Sequence, residues 1–538
     1  MAERSFRNAA ELLGSGAKGR TPREILRDNL KRRLSRMKEE GYDQEAALQR
    51  LFPNTVLDPG VLRSITTAIL AGNHTLLFGP PGSGKTNLAK DVWNLFPRTV
   101  YTVDGCPVQD DPFSVVDAAY SKAVPPCPFC KVRYWSAGEG EADGDDRAGK
   151  GGGFFGRAKK DEGKGATPFS PGERTIAGIV PEQVPVRQIT LREGYGFARI
   201  QGSPEVFPDN LTGTINLHRL EELGDPTSPL VLEPGKLLQA NRGLLIIDEI
   251  GKLPLGTQNV LLQALQESAV SPAKSRETFP ASFIAVATSN LDDLDNINEP
   301  LNDRLTNLHV GFNSDHGRNR LIIEMALARA DPGVFVPSAL IDASAFLTEA
   351  WRRGAGHIHE FAEVGSNRTM IDLVTRACAH THLSGGGRLG LDHYRRGVYD
   401  AMMGRIRVRG GDSFVHNRSA VEKFIDNHLD AELSRAGMLY WCAFFRDELR
   451  GNRSAAQSLV EEIGAFVRAG RSADGGDNDA SGEYERLSSS RNFRSFAKYA
   501  LRNEKYRAGL ADWEVVAASF SLLQELDVFE CPKSGVEP

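Results

Sequence analysis

The chain has 538 residues, and at about 150 residues per folded unit it should contain three or four of them. Hydrophobic residues make up 40% and charged residues 25%, enough apolar material for more than one core. A net charge of −5, from 65 basic and 70 acidic residues, excludes a polycation built to coat nucleic acid. The lack of any run of 18 apolar residues excludes a transmembrane helix.

The N-terminal stretch MAERSFRNAAELLGSGAKGR lacks an apolar h-region, so no secretory signal is expected there. Six cysteines in a chain of this length do not frame a disulfide scaffold, and a reducing, cytoplasmic setting is the expectation. After this stretch, Thr21-Pro22-Arg23-Glu24 reads as an N-cap, a proline at the first helical position and a capping-box glutamate. The helix that follows carries one apolar stripe, Leu26, Leu30, Leu34 and Met37, and a basic opposite side. That side reads as a solvated face, or as a docking element for an acidic partner or nucleic acid. Residues 1–50 therefore form a basic N-terminal segment with a helix.

From Val56 to about Arg304, helical and strand patterns alternate. A helix around Pro59–Ala71 precedes an apolar run at Thr75–Phe78, and further strands are expected at Thr99–Val103, Gly243–Ile247 and Ser282–Thr288. This alternation predicts an α/β fold over 51–315, a parallel sheet flanked by helices. Within it, about 104–205 reads as a Gly-rich, Cys-containing insert. Ten glycines fall between Gly138 and Gly165, too little apolar surface to order that stretch. From Arg318 onward the pattern is helical, giving a small helical domain over 316–410 and a further helical region over 411–538. A stretch of low apolar content at 471–490 reads as disordered.

Gly79-Pro80-Pro81-Gly82-Ser83-Gly84-Lys85-Thr86 matches G-x-x-x-x-G-K-[ST] between an apolar strand and a helix that opens at Asn87. Glycines let backbone N–H groups turn inward around phosphates, and the helix N-terminus adds partial positive charge. Lys85 is spaced to neutralise β- and γ-phosphate oxygens, and Thr86 offers a hydroxyl to Mg2+. ATP with Mg2+ is therefore the expected ligand of Gly79–Asn87. Leu244-Leu245-Ile246-Ile247-Asp248-Glu249 is a buried strand with two carboxylates at its C-terminal end, where ligand sites of parallel sheets lie. Asp248 is expected to hold Mg2+, and Glu249 to orient and activate the attacking water. Phe283–Ser289 is another apolar strand, ending at Asn290, which could bond a γ-phosphate or that water. Arg304, 14 residues later, is an arginine of the kind that stabilises charge in phosphoryl transfer.

Cys127-Pro128-Phe129-Cys130 has the C-x2-C spacing that lets two thiolates grip one Zn2+, and Cys106 is the obvious third ligand. His74, Asp104 or a residue of another subunit are candidates for a fourth. A redox pair, or ordinary packed cysteines, are the alternatives. His357 and His359 beside Glu360 lack the H-E-x-x-H pattern and read as ordinary histidines. Arg405, Arg407 and Arg409 would share one face if extended, as an edge strand or a nucleic-acid contact.

Together, Gly79–Thr86, Leu244–Glu249, Asn290 and Arg304 resemble an AAA+ ATPase, in particular the branch of MoxR-type proteins and the ATPase subunit of magnesium chelatase. The lead-in Leu232–Gly243, the helix Gln258–Glu267 and the segment Glu277–Phe283 are similar to those of that branch, over about 52–400. Gly365-Ser366-Asn367-Arg368-Thr369 resembles its lid motif, so the resemblance gives Arg368 the sensor-2 role and Arg304 the role of an arginine finger facing a neighbouring subunit. It further implies a P-loop AAA+ core, a helical lid and a homo-oligomeric ring, as a rule a hexamer. Such a ring hydrolyses ATP to remodel a protein client, often with a von Willebrand A-domain partner. A nucleic-acid translocase using Lys274 and Arg276, a metal-chelatase motor subunit and a non-catalytic scaffold are the competing readings.

Overall fold

The computed structural model describes residues 6–137, 174–176, 178–225, 228–272, 277–354, 365–403, 405, 414–470 and 477–529. The glycine-rich 138–165, Lys274 with Arg276, the His357–Glu360 cluster, and Arg407 with Arg409 lie outside the described residues. The chain forms two compact units. One comprises Met1–Pro80 and Gly84–Gly311, the other Phe312–Pro538 together with Pro81–Ser83.

The first unit is built on a parallel sheet. Its strands are β1 (His74–Phe78), the short edge strand β2 (Arg192–Glu193), β3 (Gly196–Gln201), β4 (Leu244–Asp248), β5 (Ile284–Ser289) and β6 (Leu305–His309). They lie in the order β6-β1-β5-β4-β3-β2. Register is set by pairs such as Leu77 with Thr288, Ile247 with Ala287, and Asp248 with Gln201. Both faces are covered, so the central strands are apolar throughout instead of alternating. Leu77, Leu244, Ile246, Ile284 and Val286 point to one face, and Leu76, Leu245, Ile247, Ala285 and Ala287 to the other. Burying each large aliphatic side chain contributes about 1.5–3 kcal/mol.

The first face is covered by α1 (Pro22–Glu39), α2 (Gln44–Leu51), α3 (Pro59–Ala71) and α4 (Lys85–Trp93). In α1 the capping box forms in both directions, Thr21 accepting from Glu24 N and Glu24 accepting from Thr21 N. Leu26 and Leu30 are its fully buried stripe. The basic side is partly tied down, since Arg33 donates to the carbonyl of Asn94 at 2.6 Å and Arg23 reaches His74 at 3.0 Å. On the second face, the short α5 (Pro128–Tyr134) belongs to the insert, and α6 (Leu255–Glu267) buries Leu261, Ala264 and Leu265. The insert is anchored by an antiparallel ribbon pairing Thr99–Val103 with Val186–Thr190.

The second unit is helical: α7 (His316–Ala330), α8 (Ser338–Gly354), α9 (Asn367–Leu383), α10 (Leu391–Met403), α11 (Phe414–Asp447), α12 (Arg453–Gly470), α13 (Asp477–Leu487), α14 (Arg491–Asn503) and α15 (Asp512–Glu525). The 34-residue α11 runs through two apolar clusters. Its first half packs with α8 and α10 through Val421, Phe424 and Leu429. Its second half packs with α12, α14 and α15 through Trp441 and Phe444. Helix α13 falls within 471–490, whose composition argues for disorder. Tyr484 and Leu487 resolve the difference, since they join the Phe466–Phe493 aromatic cluster and give the segment a face to bury. Arg405 is a turn residue after α10 and pairs with Asp372, Nε to Oδ2 at 2.9 Å, instead of opening a strand.

Candidate functional site

β1 delivers the chain to the glycine loop, and β5 returns between β1 and β4, so the tips of three strands converge. Gly79 takes φ +153°, and a Cβ there would stand 2.2 Å from the carbonyl oxygen of Val310, so no side chain fits. Gly84, at φ +106°, is the N-cap of α4 and starts it without a side-chain cap, so the partial positive charge of the helix N-terminus faces the loop, where an anion is favoured. Lys85 is buried and folds over the loop, its Nζ donating to the carbonyls of Gly79 at 2.8 Å and Pro80 at 2.7 Å. The same Nζ donates to Asn290 Oδ1 at 3.3 Å, so the strand-end asparagine and the loop lysine meet. Ser83 Oγ is buried with no hydrogen-bond partner, an orphaned polar atom inside the cradle that a phosphate oxygen would satisfy.

Thr86 Oγ1 donates to Asp248 Oδ1 at 3.0 Å, and Thr288 Oγ1 reaches the same oxygen at 3.3 Å. Asp248 is held from the other side by Arg199, whose Nη2 and Nε approach Oδ2 at 2.5 and 2.6 Å. The site thus presents a hydroxyl and a carboxylate oxygen together, a hard oxygen pair suited to Mg2+ beside phosphates. Glu249 sits in the left-handed region at φ +54°, unusual for a side-chain-bearing residue, with its N–H donating to Thr288 Oγ1 at 3.0 Å. Its carboxylate accepts from Lys252 Nζ at 3.0 Å and Gln201 Nε2 at 3.2 Å.

The sequence-derived residues divide accordingly. Gly79, Gly84, Lys85, Thr86, Asp248, Glu249 and Asn290 are brought together at the C-terminal edge of one sheet. Arg304 is not: it is exposed just before β6, and its guanidinium donates to Pro300 O at 3.3 Å and Gln266 Oε1 at 3.4 Å. Arg368 belongs to the second unit, exposed on the first turn of α9. Ser366 caps that turn by accepting from Thr369 N at 3.2 Å, and Arg352 braces its start through Gly365 O at 2.8 Å and Asn367 Oδ1 at 2.7 Å. Arg199, Gln201, Lys252 and Thr288 were missed by sequence reasoning. Their only signal is the strand register that places Gln201 beside Asp248.

At the start of β1, burial pushes the His74 imidazole down to about 4, and Arg23 adds to the effect. Its Nδ1 accepts from Ala285 N at 3.0 Å, so this histidine is committed to the core and is no ligand for the cysteines. Asp104 is also excluded, paired with Arg187 at 3.3 Å. Cys106, Cys127 and Cys130 do come together, as free thiols, and the fourth group beside them is Asp110.

Residues 178–301 match the ATPase family associated with various cellular activities (AAA). The chain is 33% identical over 122 residues to the response regulator protein FleR of Pseudomonas aeruginosa, covering 22% of this chain and 24% of FleR. It is 36% identical over 93 residues to the archaeal Lon protease of Methanocaldococcus jannaschii, covering 15% of this chain and 14% of that protease. The matches thus span about a quarter or less of these curated relatives. Among solved structures, the chain resembles a magnesium chelatase BchI–BchD assembly at 19% identity and a TM-score of 0.31, covering 68% of this chain and 98% of that one. It resembles the Thermotoga maritima RuvB Holliday junction branch migration motor at 14% identity and a TM-score of 0.32, covering 66% and 74%.

Proposed function

With residues 178–301 falling in the AAA family of ATPases and the sheet and helices forming a P-loop AAA+ fold, we propose that this protein binds and hydrolyses ATP with Mg2+ and uses the cycle to remodel a protein partner. The observation that carries the reading is the convergence of Lys85, Asn290, Thr86 and Asp248 within hydrogen-bond distance at one sheet edge, with Glu249 next in the chain. The loop N–H groups of Gly82–Thr86 and Lys85 hold phosphate oxygens. Lys85 exchanges its carbonyl contacts for charge-assisted bonds to them. Thr86 and Asp248 hold the cation, which when bound supplies charge neutralisation between phosphates. Glu249 orients the attacking water and accepts its proton, and Asn290 fixes the terminal phosphate against Lys85.

Ring assembly is supported by Arg304. Within its own unit it is exposed and bonded to Pro300 and Gln266, which suits the role the resemblance implies, an arginine offered to the site of a neighbouring copy. Arg368, on the braced first turn of α9, serves as the lid arginine. A hexameric ring with a protein client, and a separate von Willebrand A-domain partner, completes the reading through the resemblance to MoxR-type proteins. Among the described residues, no helix is long and apolar enough to cross a membrane.

The test is Glu249→Gln in the full chain. ATP binding should persist while turnover falls by about 10²–10⁴-fold, as for loss of a general base. The stalled variant should form a larger, ATP-dependent assembly by light scattering and co-purify with its client. Hydrolysis at the parent rate would refute the catalytic assignment.

A further inference from the structure

The insert between β1 and β3 carries a second constellation, separate from the nucleotide site. Four potential ligand atoms, the Sγ atoms of Cys106, Cys127 and Cys130 and a carboxylate oxygen of Asp110, lie within 4.8 Å of one another. Cys127 and Cys130 are fully buried, and Asp110 is 2% exposed. Each arrives by a local device. Gly105, at φ +74°, makes the turn after Val103 that brings Cys106 inward, and Gln109, also at positive φ, turns Asp110 back toward it. Cys127 is the N-cap of α5, Pro128 starts the helix, and Cys130 lies in its first turn, so both thiols emerge from one end.

Distances distinguish the possible occupants. Sγ of Cys106 and Sγ of Cys127 are 3.7 Å apart. A tetrahedral ion with metal–sulfur bonds of about 2.3 Å sets its sulfurs about 3.8 Å apart, so this edge is already at the length zinc requires. Closing the widest separation to a tetrahedral edge asks for a contraction of about 1 Å, within reach of side-chain torsions. The groups are too close to frame an iron–sulfur cluster, whose thiolates stand on separate irons. The surroundings are those of ligands. Asp110 N donates to Cys106 Sγ at 3.3 Å, and Cys127 N donates to Asp110 Oδ2 at 2.7 Å, so the backbone orients a sulfur and the carboxylate. A carboxylate this deeply buried has no ion pair among the described residues, a costly state that a cation relieves.

We propose that Cys106, Asp110, Cys127 and Cys130 bind one Zn2+ in a closed, structural site. Four protein ligands fill a tetrahedral shell and leave no open coordination position for catalysis, although Cys106 is only partly buried. The ion would staple the loop after Thr99–Val103 to α5. It would thereby hold Asp111, next to the ligand Asp110, on Arg242, whose Nη2 donates to Asp111 Oδ2 at 2.9 Å just before β4.

The experiment uses the full chain purified without chelator. Elemental analysis should find one zinc per chain. Replacing zinc by Co2+ should give the near-ultraviolet sulfur-to-cobalt transition and the strong visible bands of a tetrahedral thiolate site. The double variant Cys127→Ser/Cys130→Ser should purify without zinc, whereas Cys378→Ser, at a buried cysteine of the other unit, should keep it. Asp110→Asn, which removes the charge of a direct ligand, should weaken zinc retention against a competing chelator by at least the about 10–100-fold that loss of a mere outer-shell partner costs. Because the double variant could fail for lack of folding, the cobalt spectrum of the unaltered chain decides by itself. Metal-free protein after zinc-supplemented expression, an octahedral cobalt spectrum, iron in place of zinc, or full zinc in the double variant would each overturn the proposal.

Discussion

Thr86 Oγ1 and Asp248 Oδ1 stand 3.0 Å apart across 162 residues of chain, joining the end of the glycine loop to the tip of the acidic strand. This link exists because β5 lies between β1 and β4, so the two tips flank one strand end. If the pair holds the cation, Thr86→Ala removes one of its oxygen ligands and leaves the loop intact. Nucleotide affinity measured with Mg2+ should fall about tenfold, toward the value in excess chelator, where the variant and parent should agree. Titration with a fluorescent ATP analogue under both conditions checks this. An equal loss with and without Mg2+ would mean that Thr86 acts through the loop, not the cation.

Arg199 supplies the charge that Asp248 faces before a cation arrives. The Asp248 side chain is 4% exposed and that of Arg199 40%, so the pair is half open to solvent and worth less than a buried one. Arg199→Ala should lower the stability of the nucleotide-free protein by about 1–3 kcal/mol, because the carboxylate loses its partner. Mg-ATP should then raise the melting temperature of the variant more than that of the parent. Equal ligand-induced shifts in thermal unfolding would show that Arg199 does not compensate the site.

Arg304 is expected to work in a neighbour's site, and mixing separates that from a local role. Arg304→Ala should assemble normally and lose about 10³-fold in turnover. Co-assembled with Glu249→Gln, it should recover measurable activity, since some interfaces then pair an intact glutamate with an intact arginine from the other subunit. Inactive mixtures, with both variants shown to co-assemble, would place the arginine's action within its own chain.

How far the sequence could be read follows the range of the interactions involved. Gly79, Gly84, Lys85 and Thr86 are legible because their chemistry is written in consecutive residues and backbone angles. Asp248 and Glu249 are legible because a strand's C-terminal end is a predictable place. Arg199 and Gln201 were illegible, since they matter only through the register that sets Arg199 opposite Ile246 and Gln201 opposite Asp248. Asp110 was hidden for a similar reason. Asp104 lies nearer to Cys106 in the chain's preceding turn, yet it faces out to Arg187, and the reversal at Gln109 is what aims Asp110 at the thiols. Composition failed at α13, where a few aromatic contacts outweigh a polar sequence.

The second unit holds a histidine whose protonation should be visible in its stability. Burial alone would push His316 down. Asp342 at 3.0 Å from Nε2 and Glu349 at 3.2 Å from Nδ1 outweigh that and raise it to about 9 from an ordinary 6.5. Arg320 also binds Asp342, at 2.6 Å, and the imidazole stacks on Phe346 with centroids 3.9 Å apart. The folded state therefore favours the protonated ring. Its contribution is complete below about pH 6.5, shrinks between about 6.5 and 9, and is gone above that range. His316→Asn should thus lower the melting temperature most at about pH 6, and the gap from the parent should narrow toward about pH 10. Thermal unfolding of both chains across this range checks it. A gap that stays constant with pH would mean that His316 contributes by packing on Phe346 and not by its charge between Asp342 and Glu349.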